Sequence, residues 1–94
     1  MPLVDSRLSR LAQVLIHYSL NVQPGNLVAI QAGVEAIPLL REVYREIVQA
    51  GAYPELLIDM EEAREIYLKE ANEEQLNFIS PVTQLITERY DCLL

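Results

Sequence analysis

Thirty-three residues from Leu27 to Asp59, LVAIQAGVEAIPLLREVYREIVQAGAYPELLID, decide the fold. Leu27 to Ile30 is a short, unbroken apolar run, the pattern of a strand buried on both faces, and Ala32-Gly33 then breaks it. Leu39, Leu40, Val43, Tyr44, Ile47 and Val48 follow at helical spacing and make a wide apolar stripe. Arg41, Glu42, Arg45, Glu46 and Gln49 fall on the other side of that helix. Pro38 suits its first turn, where no N–H is needed, and Gly51 stands where a left-handed residue closes a helix. Leu56-Leu57-Ile58, within Glu55–Asp59, is a second apolar run and reads as a second buried strand. Strand, helix and strand within about thirty residues make one βαβ unit, with parallel strands and a right-handed crossover.

Upstream, Gln23-Pro24-Gly25-Asn26 is a turn with a mechanism: Pro24 presets φ at the first central position and Gly25 accepts the positive φ a type II turn needs at the second. Before it, Asp5 to Leu20 reads as one amphipathic helix capped by Asp5. Leu8, Leu11, Ala12 and Leu15 form its expected inner stripe, flanked by Val14 and Tyr18, while Arg10, Gln13 and His17 face solvent. Downstream, Asp59 and Glu62 have the spacing of a capping box, and Ala63, Ile66 and Tyr67 form the next stripe. Asn72 with Gln75 repeats the box. Ser80-Pro81 opens a last helix with Val82, Leu85 and Ile86 expected inside.

Asp91-Cys92-Leu93-Leu94 turns apolar and extended, a third parallel strand at a sheet edge. Without proline or lysine to discourage pairing, that edge is expected to self-associate. The expected architecture is α/β: a small three-layer α/β/α domain around a parallel three-stranded sheet. Because the chain stops inside a core strand, residues 1–94 are expected to be a single domain cut from a larger two-domain protein.

Composition excludes several functions. With 51% hydrophobic and 22% charged residues, the chain matches an ordinary globular domain and not a disordered one. No apolar run approaches the ~20 residues of a membrane-spanning helix, so no membrane partner is expected. Fourteen acids against seven bases give a net charge of −7, which repels a nucleic acid at long range. Residues 48–94 hold three bases and ten acids and so carry the whole excess. A solubilising helical surface is its ordinary meaning; a dock for a basic partner is the sharper one.

Chemistry is sparse. The only cysteine is Cys92 and the only histidine His17, which leaves no internal disulfide and no CxxC motif and fits a reducing, cytoplasmic setting. Gly33 is a single glycine where a dinucleotide fold needs three, and no P-loop occurs. Ser6, Ser9, Ser19 and Ser80 lie in or beside helices without a nucleophile elbow, and Cys92 sits in an apolar strand. Asp59 is the best-placed acid, at a strand's carboxyl end, but cap duty explains it; Glu61-Glu62 complements a helix dipole. The five tyrosines read as packing. No catalytic, cofactor-binding or metal-ligating residue is assigned.

The order of local words resembles a known family. Leu11-Ala12, Tyr18-Ser19-Leu20, Pro24-Gly25 before an apolar strand, Ala36-Ile37-Pro38-Leu39, Tyr44-Arg45-Glu46 and Ala50-Gly51-Ala52-Tyr53-Pro54 are similar to the amino-terminal domain of the thermophilic metalloaminopeptidases, the aminopeptidase T, aminopeptidase S and PepS type. Leu68-Lys69-Glu70-Ala71 and Glu74-Gln75-Leu76 extend the likeness over nearly the whole chain. Asn26 departs from the pattern, where an acid commonly follows the Pro-Gly turn. The resemblance implies removal of N-terminal residues from peptide substrates by two divalent metal ions, zinc, cobalt or similar. It places their ligands in a carboxy-terminal catalytic domain, after residue 94, and implies a homo-oligomeric, dimeric parent. The alternative is a stand-alone acidic α/β protein-interaction module without enzymatic activity.

Overall fold

The computed structural model describes residues 6–94. Asp5, the expected cap, lies outside them. Strands β1 (Leu27–Gly33), β2 (Tyr53–Asp59) and β3 (Cys92–Leu93) form a wholly parallel sheet in the order β2-β1-β3. Helix α2 (Ile37–Gln49) follows a 3₁₀ turn at Val34–Ala36 and links β1 to β2. Helices α3 (Glu61–Glu70), α4 (Glu73–Leu76) and α5 (Pro81–Arg89) lead from β2 to β3. The chain is a small α/β domain.

The βαβ unit is closed at one end by two glycines. Gly25 has φ 84° and Gly51 φ 79°, values that cost a residue with a Cβ. Asn26 N–H donates to Gln23 O at 3.1 Å, closing the expected turn. Gly51 N–H donates to Val48 O at 3.0 Å and Ala52 N–H to Ile47 O at 3.1 Å, a Schellman end to α2. The two turns also hold each other: Gly25 N–H donates to Gly51 O at 2.9 Å, and Tyr53 N–H to Asn26 O at 2.8 Å.

Ladder partners in a parallel pair share a face. Val28, Ile30 and Ala32 therefore lie with Pro54, Leu56 and Ile58, and Ala29 and Gln31 with Glu55 and Leu57. The first face carries the core: Val28 and Ile30 pack with Leu40, Val43 and Ile47 of α2 and with Ala12, Ile16 and Val22. On the second face Ala29 is buried, but its partner Leu93 is 58% exposed.

Helical cover is thus dense on one face and thin on the other. None of α3, α4 or α5 buries a residue. The stripes read at Ala63, Ile66 and Tyr67 and at Val82 and Leu85 are exposed; only Ile86 is half-covered. β2 is likewise not the buried strand its apolar run predicts, because in the order β2-β1-β3 only β1 has a neighbour on each side. β1 also runs through Gly33, past the expected break.

The first helix departs from its expected form. α1 (Ser6–Gln13) gives way to a π-helical segment, Val14–Ser19, in which Leu20 N–H reaches back five residues to Leu15 O at 2.9 Å. Ile16, four residues on from Ala12, is buried with it in the core, while Leu11 and Val14 are exposed. In α2 the buried side is turned toward α1, which packs along it. Tyr44 and Val48 therefore lie in solvent, while Glu42 (6% exposed) and Glu46 (9%) are buried, against the expected polar face. Two helix starts match the sequence: Asn72 and Gln75 make both bonds of a capping box, and Ser80 Oγ accepts from Val82 N–H.

Candidate functional site

In an open parallel sheet, ligands sit beyond the carboxyl ends of the strands. There, Gly33, Glu35, Asp59, Met60, Glu61 and Arg64 line a hollow of about 470 Å³. Gly33 has an ordinary φ of −78°; a Cβ there would run into the Glu35 carboxylate, a flexible group that can move. Asp59 does not cap α3. The residue at the cap is Met60, which makes no side-chain cap bond, and the Asp59 carboxylate accepts from Gln31 Nε2 at 3.1 Å. β2 extends to Asp59, so its side chain follows the sheet and not the helix. Glu61 and Glu62 occupy the first turn of α3 as expected.

His17 makes a long-range polar contact from the first helical segment to α2. Its Nε2 lies 2.9 Å from Glu46 Oε2, with the imidazole 44% exposed and the carboxylate nearly enclosed. Arg45 Nε stands 3.8 Å from Glu42 Oε2. Sequence reading missed this arrangement, because nothing in the helical pattern shows that α1 covers the glutamate side of α2. His17 is solvent-facing as expected, but it is also a partner.

Cys92 is a free, half-buried cysteine. Burial first, and then the charge of Asp91, push its thiol above the ordinary cysteine range, so at neutral pH it is a poor nucleophile. Ser80 is occupied as a cap. Tyr18, Tyr44, Tyr53 and Tyr67 are exposed and do not pack the core.

The metal ions that the resemblance implies do not fit the described residues. Among these, no three of His, Cys, Asp and Glu converge as ligands. His17 takes Glu46, and Asp59 takes Gln31. No helix among them is long and apolar enough to cross a membrane.

Residues 4–93 match the family described as thermophilic metalloprotease (M29). Among solved structures, the chain is similar to wild-type AmpT from Thermus thermophilus, with a TM-score of 0.68 and 25% sequence identity. That likeness covers 87% of this chain and 21% of AmpT, so this chain spans about a fifth of that protein. No curated protein matches the chain.

Proposed function

We propose, from the premise that this chain belongs to the thermophilic metalloprotease (M29) family, that it is the amino-terminal, non-catalytic domain of a metal-dependent aminopeptidase. The observation that carries this reading is the paired extent of the likeness. It takes in 87% of this chain and only 21% of AmpT, which leaves most of such a protein to supply other parts. In this reading a carboxy-terminal domain, following residue 94, binds two divalent ions, zinc, cobalt or similar. That domain removes N-terminal residues from peptides, and the parent is a cytoplasmic dimer. The α/β domain contributes packing surface, not ligands.

Metal analysis of the purified chain after dialysis, with a leucine p-nitroanilide assay on the same sample, tests it. The expected result is no turnover and no stoichiometric zinc or cobalt. Tight stoichiometric metal together with turnover overturns the reading. A reading frame that continues into a metal-ligating domain separates it from the stand-alone acidic module.

A further inference from the structure

Beside the outer edge of β2, on the α2 side, lies an apolar groove of about 490 Å³. Leu40, Tyr44, Leu56 and Ile58 form its floor, and Arg41 and Arg45 stand on its rim. Both arginines are exposed, and Arg45 stands at a long 3.8 Å from Glu42. This groove is apolar and cationic on a molecule whose net charge is −7.

An occupant must therefore be apolar and acidic. A helix suits the groove better than a strand, because along the outer edge of β2 only Leu56 and Ile58 can donate. Tyr53 N–H is spent inward on Asn26, so alternate residues 54, 56 and 58 turn their peptide groups outward, and Pro54 has no N–H to give. The chain itself contains a segment of that chemistry. On α3, Glu62, Ile66 and Glu70 stand one turn apart in a column, and Ile66 is 56% exposed. An apolar side chain with a carboxylate one turn to each side complements an apolar floor with a guanidinium on its rim.

We propose that a second copy of this chain seats α3 in this groove, with Ile66 on the floor and Glu62 and Glu70 against Arg41 and Arg45. A two-fold arrangement makes the same contact twice.

Charge exchange tests it. Arg41→Glu with Arg45→Glu moves the net charge from −7 to −11, and Glu62→Arg with Glu70→Arg moves it to −3. If only net repulsion mattered, the second pair would associate more strongly than the unchanged chain. In sedimentation equilibrium the unchanged chain is expected to dimerise, and each double variant to do so about tenfold more weakly or worse. An equimolar mixture of the two variants restores the dimer, because each groove then meets a helix of opposite charge. All four positions are exposed, so the fold should persist. Should a double variant lose its far-UV helical signal, Ile66→Ser carries the same test, with weaker association expected. A monomer at every concentration, a strengthened Glu62→Arg/Glu70→Arg variant, or a mixture without rescue overturns the proposal. So does an association abolished by Leu93→Lys alone, which would assign it to the β3 edge.

Discussion

Removing three side-chain carbons from Ile47 and from Leu85 should have very different consequences. The sequence puts both residues on inward stripes, yet Ile47 is 0% exposed and Leu85 is 49% exposed. At about 0.8 kcal/mol per buried carbon, Ile47→Ala loses about 2.4 kcal/mol of transfer free energy. Ile47 packs among Val43, Val28, Ile30 and Ile16, which are themselves fully buried or nearly so and cannot easily close the void. A cavity penalty brings the total to about 3–4 kcal/mol. Leu85→Ala removes the same carbons from a side chain already half in water, so about 1 kcal/mol is the ceiling. A domain of this length has roughly 5–14 kcal/mol in all, so the first change takes a large share and the second little. Urea unfolding followed by far-UV circular dichroism at low protein concentration measures both. With a slope near 1.5 kcal/mol per molar urea, the midpoints should fall by about 2–2.7 M and by less than about 0.7 M. Equal losses for the two variants would mean that α5 is packed as tightly as α2, and the one-sided core described above would be wrong.

Three further outcomes follow from named contacts. His17→Ala leaves the enclosed Glu46 carboxylate without its bond and should cost about 1–3 kcal/mol, part of which returns on adding Glu46→Gln; a double-mutant cycle by urea unfolding reads the coupling, and strict additivity refutes it. Gly51→Ala, at φ 79°, should destabilise by about 1–2 kcal/mol, whereas Gly33→Ala, at φ −78°, should cost less; the reverse order in thermal melts would contradict the backbone geometry. The raised Cys92 thiol binds its proton longer than a free one as pH rises, so its reaction with a disulfide reagent should accelerate at higher pH than free cysteine does; a profile at or below that of free cysteine refutes the assignment.

Much of the fold is legible in sequence because its signals are local. The Pro24-Gly25 turn, the Gly51 helix end, the Asn72–Gln75 box and the Ser80 cap each depend on residues within a few positions of one another. The three parallel strands follow from apolar runs and the length of the crossover. What escaped depends on distant partners. A stripe such as Val82, Leu85 and Ile86 says that a helix has an apolar side, not that anything lies against it. The burial of Glu42 and Glu46 depends on α1 lying along them, and His17 is twenty-nine residues from Glu46. The π turn has no periodic signature, and the core takes Ile16 where the expected stripe offered Leu11. At the strand ends, Asp59 satisfies a capping pattern with Glu62, but the direction of β2 gives its carboxylate to Gln31 instead.

The clasp between the two glycine turns also sets a length. Gly25 and Gly51 are twenty-six positions apart, and so is every pair of the ladder, from Leu27 with Tyr53 to Gly33 with Asp59. The stretch between the glycines is therefore a closed ring of fixed circumference, fastened by Gly25 N–H on Gly51 O. One residue added to or lost from that ring must either open the fastening or slide β2 by one step, and a single step carries Leu56 and Ile58 to the opposite face. Additions after Glu61, where the helices bury nothing, meet no such count. Descendants of this fold should therefore keep the spacing of the first two strands and vary in length beyond them.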